Sequence, residues 1–165
     1  MAEEPKLSLL SKEKKVIVVS QELLKHGEFF KNLMADVKPD DKIELDFSEK
    51  IINYMVEFLE HYKGKEFPAI VRPIRGTLKE ACKDEWLFTF LSKPIEEISQ
   101  IIELGNFVMI PPLFDAASGA FAAKIIGKTT EELRKEFGVE CDLTNDDNQK
   151  IDEFFDWVPE LFGVK

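Results

Sequence analysis

A change of hydrophobic period near residue 48 constrains this chain more than any other feature. Before that point apolar residues form short runs or alternate. Leu7, Leu9 and Leu10 come first, then Val16 to Val19 beyond a Lys12–Lys15 spacer, then Ile43, Leu45 and Phe47 interleaved with Glu44 and Asp46. Strand side chains point alternately to opposite faces, so these segments predict a hairpin with a buried second strand and a third, half-buried strand. After residue 48 the spacing becomes helical: Ile51, Ile52, Met55, Phe58, Leu59 and Tyr62 share one stripe, with Ser48 placed to N-cap and Gly64 to stop it. An early sheet edged by helices, followed by an all-helical segment, is an α+β fold.

The connecting segments fit that order. Short helical turns are expected over 21–27 and 29–36, the second with Phe30, Leu33 and Met34 on one side, followed by a turn at Pro39-Asp40-Asp41. Residues 65–84 carry Pro68, Pro73 and Gly76 without a period and read as a long loop or a boundary, although Ile70, Val71 and Ile74 make the stretch unusually apolar. Pro94 opens a helix bearing Ile95, Ile98, Ile101 and Ile102. Pro111-Pro112 ends it and opens the next, whose Ala116, Ala117, Ala120, Ala122 and Ala123 permit close approach. Thr129 with Glu132 forms a capping box, Gly138 suits the far end, and Thr144 with Asp147 starts a last helix.

Composition narrows the function. The 165 residues carry a net charge of -10, which leaves no basic stripe for nucleic acid or anionic lipid. Fourteen Phe supply a core without staples. Two Cys and two His at unrelated spacings exclude a zinc site, so no metal and no cofactor are expected. No apolar run approaches the roughly 18 residues of a membrane span. The acidic start, Met1 to Glu4, is no targeting signal, so cytoplasm and nucleus are the expected compartments. Nor is an enzyme expected. Ser118-Gly119 lacks a nucleophile elbow, and Gly127-Lys128-Thr129 resembles the end of a phosphate-binding loop but has Ala122 where the first Gly belongs.

A resemblance gathers these pieces. Trp86-x-x-x-Phe90-Leu91, Asn106-Phe107, Leu113-x-Asp115, Ile125-x-Gly127-Lys128-Thr129, Glu131-Glu132-Leu133-Arg134-Lys135-x-Phe137 and Asp142-Leu143-Thr144, then Ile151 and Trp157, run in one gapless register. Together they resemble the Skp (S-phase kinase-associated protein) family of ubiquitin-ligase adaptors. The family's pattern has Tyr at Phe107, Asp at Met109, Lys-Gly at Pro111-Pro112 and Pro at Thr130, so the chain looks like a divergent paralogue. The resemblance implies a BTB/POZ-like domain over 1–126, with 65–84 a variable loop, and a helical F-box-binding extension over 127–165. It also implies an adaptor of an SCF-type ligase that bridges a cullin to F-box proteins.

Site expectations follow. Asn106 and Phe107 read on their own as a helix end, and the resemblance implies that they meet the cullin. Phe121, Ile125, Phe137, Val139, Leu143, Ile151 and Trp157 read as core by composition, and the resemblance implies that they hold the F-box. The last helix adds Phe154, Phe155, Leu161 and Phe162 with no later element to cover them, which calls for a partner. A homodimer through that surface is the expectation when no F-box is bound. The alternative function is a structural, ubiquitin-independent one, either a homo-oligomer or an F-box complex without cullin.

Overall fold

The structure, a computed structural model, describes residues 5–34, 41–71, 74, 77–81 and 84–155. Its elements run in the order β1 (Lys6–Leu10), β2 (Val16–Ser20), α1 (Gln21–Leu24), α2 (Glu28–Met34), β3 (Lys42–Glu44), α3 (Glu49–His61), α4 (Leu78–Ala81), α5 (Glu85–Phe90), α6 (Ile95–Phe107), α7 (Pro111–Ile125), α8 (Thr130–Phe137) and α9 (Asn145–Phe155). They fall into two compact units, Met1–Ile126 and Gly127–Lys165.

In the first unit β1 is the middle strand, antiparallel to β2 with Leu9 opposite Ile17 and parallel to β3 with Leu9 opposite Ile43. The expected hairpin and third strand are present, but β2 is not buried throughout. Val19 is buried, whereas Val16 and Val18 are 47% and 59% exposed. An edge strand with helices on only one side of the sheet buries alternate residues, so a continuous valine run does not imply burial on both faces. Of the turn expected at Pro39-Asp40-Asp41, Pro39 and Asp40 lie outside the described residues.

The α3 stripe behaves as its spacing predicts. Ile51, Ile52, Met55, Phe58, Leu59 and Tyr62 are all buried and meet Ile98, Ile101 and Leu104 of α6 in one cluster. The start of α3 holds a surprise. Ser48 stands at the N-cap, but its hydroxyl makes no capping bond. Instead the Glu49 N–H donates to the Glu13 carboxylate at 2.9 Å, from the tip of the β1–β2 hairpin, and Lys15 pairs with Glu49. A helix leaves its first N–H groups without internal partners, and here the missing acceptor comes from 36 residues away.

Residues 65–84, read above as a loop or boundary, are packed. The Phe67 ring stacks on Phe58 with centroids 5.8 Å apart. Val71 N–H donates to the Ala81 carbonyl at 3.1 Å, and Ala81 on α4 is buried. Gly119 of α7 accepts Ile70 closely, since a Cβ there would stand 3.1 Å from the Ile70 Cγ2. At the end of the segment Asp84 caps α5, taking the Trp86 and Leu87 amides and the Tyr62 hydroxyl, the last at 2.7 Å. Burial by itself pushes the Asp84 carboxyl up, but these donors together hold it below its ordinary value.

The Glu13 contact makes a pH signature. The Glu49 amide, followed by the Ser11 side chain, holds the Glu13 carboxyl below the usual range. A group depressed on folding adds stability above its unfolded pKa and loses it as pH falls through the folded one. The parent chain should therefore unfold at higher urea than Glu13→Gln at neutral pH, and the gap should close in acid. An unchanging gap would remove the capping assignment.

Candidate interaction surfaces

The last turn of α6 is built as a ledge. Met109 N–H donates to the Asn106 carbonyl at 3.2 Å and Ile110 N–H to the Gly105 carbonyl at 2.9 Å, while Met109 itself has φ 53°. This is the bond pattern of a Schellman cap, with methionine in the left-handed position that usually belongs to glycine. Asn106 is exposed, Phe107 is 48% exposed and Met109 49%. Phe107 is steadied from behind by the Phe29 and Phe47 rings, at centroid distances of 5.1 and 5.9 Å. Asn106 and Phe107 thus share one surface. The sequence marks Phe47 only as a strand residue and gives Phe29 no role, since nothing in their local pattern links them to residue 107.

Helix α7 divides cleanly. Leu113, Ala116, Ala117 and Ala120 are buried against the core, while Phe121 and Ile125, one turn apart, are half-buried and Phe114 is exposed. On one flank Ile70, Ile74, Phe114, Ala122 and Ile126 line an open, mainly apolar hollow of about 480 Å³.

In the second unit α8 begins with the expected capping box. Glu132 N–H donates to Thr129 Oγ1, and Thr129 N–H donates to the Glu132 carboxylate at 2.8 Å. Gly138 closes α8 in the left-handed conformation at φ 63°, and Lys128 pairs with Glu136. Helix α9 starts on the reciprocal Thr144–Asp147 pair, whose Thr144 hydroxyl and amide hold the Asp147 carboxyl below its usual range. Neither helix buries a described residue. Phe137, Val139, Leu143, Ile151, Phe154 and Phe155 are all exposed, Phe154 at 68%. A core position was open for Phe137 and Val139, and the structure puts both at the surface. Trp157, Leu161 and Phe162 lie outside the described residues. No group of three or more potential metal ligands occurs among the described residues, and none of their helices is long and apolar enough to cross a membrane.

Comparison with known proteins carries the register across the whole chain. The family described as "Skp1 family, dimerisation domain" matches residues 111–158. An S-phase kinase-associated protein 1 homolog of Tetrahymena thermophila is 29% identical over 157 residues, covering 94% of this chain and 95% of that protein. The chain is similar to Skp proteins over nearly its whole length. The Suppressor of kinetochore protein 1 of Schizosaccharomyces pombe, 27% identical over 158 residues, covers 94% of this chain and 98% of its own length. The E3 ubiquitin ligase complex SCF subunit sconC of Arthroderma benhamiae is 25% identical over 157 residues, with 94% and 96% covered. The α+β first unit with its three-stranded sheet is the BTB/POZ-like fold of Skp proteins.

The surfaces of this chain differ from its core in what a substitution should cost. Leu104→Ala, at a fully buried position, should lower stability by about 2–5 kcal/mol. Val139→Ser and Ile151→Ser, at exposed positions, should each change it by less than about 0.5 kcal/mol. Urea unfolding followed by circular dichroism measures all three, and a core-sized loss at 139 or 151 would return those residues to a core role.

Proposed function

We propose that this chain is the adaptor subunit of an SCF-type (Skp–cullin–F-box) E3 ubiquitin ligase, joining a cullin to F-box substrate receptors. The observation that carries the reading is a pair of apolar surfaces on separate compact units, in a chain similar along 94% of its length to a named SCF subunit. Asn106 and Phe107, on the ledge at the end of α6, serve the cullin. Phe121, Ile125, Phe137, Val139, Leu143, Ile151 and Trp157 serve the F-box. Large apolar side chains on a surface are the usual anchors of binding energy, and exposed ones on a lone chain ask for cover. The adaptor performs no chemistry of its own. Holding substrate receptor and cullin on one scaffold raises the effective concentration of substrate at the conjugating enzyme. Cytoplasm and nucleus are where such an adaptor would act.

The exposed α8–α9 surface also supports a second use. Two copies would pair through it when no F-box is bound, which hides the same apolar side chains from water.

Two measurements test the reading. Changing Asn106 and Phe107 together to Lys should remove cullin binding and leave F-box binding intact, because a desolvated ammonium is costly at an apolar contact. Amides of Asn145–Phe155 should gain hydrogen-exchange protection when an F-box protein binds, since this helix buries no described side chain in the free chain. If a cullin fails to co-purify with the parent chain, the ubiquitin-independent assembly role becomes the better account.

A further inference from the structure

The sheet of the first unit has two edges among the described residues, and they are finished differently. β3 is three residues long and turns Lys42 and Glu44 to the surface. Short, charged edges resist pairing with other chains. β2 is five residues long, Val16-Ile17-Val18-Val19-Ser20, with no charge and no proline. The phase of its ladder follows from the bonds at either end. Ser11 N–H donates to the Lys15 carbonyl and Gln21 N–H to the Pro5 carbonyl, both at 2.9 Å. Residues 15 and 21 therefore face β1, as do Ile17 and Val19 between them, because antiparallel ladders alternate. Val16, Val18 and Ser20 turn their N–H groups the other way, where none of the three donates to a described residue. The Val16 and Val18 side chains stand on the uncovered face of the sheet, 47% and 59% exposed.

We propose that β2 is a docking edge for a second copy of this chain, the two β2 strands running antiparallel across a two-fold axis at Val18. This edge is separate from the α6 ledge and from the α8–α9 surface, and it does not depend on the adaptor reading. A strand pairs with its own copy only if its pattern survives reversal, and this one does. With Val18 on the axis, the Val18 N–H of each copy reaches the Val18 carbonyl of the other. Val16 and Ser20 then fall opposite each other as the next bonding pair. Val16 and Val18 of both copies join into one apolar row on the open face, and Ile17 meets Val19 on the other. Charge agrees at the ends, since reversal carries Lys14 of one copy toward Glu22 of the other. Within one chain these two side chains pair at exposed positions, with Glu44 and Lys63, and such pairs are weak enough to exchange. An unrelated peptide would have to bring a matching pattern of its own, whereas a second copy already carries it. One strand pair is small beside the roughly 1,200 Å² of a stable complex, so the dimer is transient and fills with concentration.

Amide exchange, followed by NMR on the full chain at rising concentration, reads the edge directly. Val18 and Ser20 N–H should slow about tenfold once nine-tenths of the chain is paired, since exchange then comes from the unpaired remainder. Ile17 and Val19 N–H, already bonded to β1, should change little. Val18→Lys sets two ammonium groups against each other at the axis. It should abolish the slowing and hold the sedimentation coefficient constant with concentration. Val18→Pro removes the outward N–H without touching the β1 ladder, which an edge strand tolerates, and should do the same. Val18→Thr keeps both the N–H and the β-branch and should pair like the parent. If Val18→Pro unfolds, Val18→Lys decides the matter, because position 18 is at the surface. A parent chain that stays monomeric at every concentration in the series overturns the proposal. Dimers whose Val18 amide exchanges as fast as in the monomer overturn it too, and move self-association to another surface. Slowing of the Val18 amide only when another protein is added gives the edge to that partner and overturns the second copy.

Discussion

Gly105 lets α7 approach α6 so closely that a Cβ there would stand 3.2 Å from the Phe114 amide. That packing is what the rest of the first unit leans on. It brings the isoleucine face of α6 against Leu113, Ala116, Ala117 and Ala120, forming the most extensive helix–helix packing among the described residues. It also forces the chain to reverse within a few residues between Phe107 and Pro111. A corner that tight is made by a left-handed cap followed by two prolines already set for a helical start. Both surfaces proposed for cullin and F-box on this unit sit on the pair: the ledge at the corner, and Phe121 with Ile125 further along α7.

The two units follow different stability rules. The first has a continuous core of fully buried Leu, Ile and Phe; its helix ends are closed by a long-range acceptor at α3, Glu13, and a local one at α5, Asp84, which also takes the Tyr62 hydroxyl. The second has well-capped helices but no buried described side chain. Caps contribute roughly 1 kcal/mol each, and short helices are marginal without packing, so local capping alone explains the shape of α8 and α9 rather than their persistence. A helix pair that satisfies its ends locally and leaves its apolar residues to the surface is well suited to finish folding on a partner.

Charge supports the same division. The lysines of the hairpin, Lys12, Lys14 and Lys15, pair with Asp46, Glu44 and Glu49 at exposed positions, where each pair is worth little. Helix α9 instead opens on Asp146 and Asp147 with Lys150 one turn later, leaving an acidic start beside exposed Ile151, Phe154 and Phe155. That combination favours a partner surface with apolar recesses and a basic rim.

Local rules determined a great deal of this protein from the sequence alone. The period of two before residue 48, the helical period after it, the Pro111-Pro112 break, both capping boxes and the Gly138 stop all depend on neighbours within four residues, and each is where the pattern puts it. The gapless motif register carried the resemblance to Skp proteins as well. What only the tertiary structure decided involves residues far apart in the chain. That β2 exposes Val16 and Val18 depends on which side of the sheet the helices cover. That Glu13 caps α3 in place of Ser48 depends on where the hairpin tip falls. Residues 65–84 fold onto the core because Phe67 meets Phe58 and because Gly119 leaves room for Ile70. Phe29 and Phe47 join Phe107 only when α2 and the segment that follows β3 are brought to the α6 corner. Hydrophobic periodicity records which residues leave water, but the partner they meet is set by chain reversal and steric fit, which no local pattern encodes.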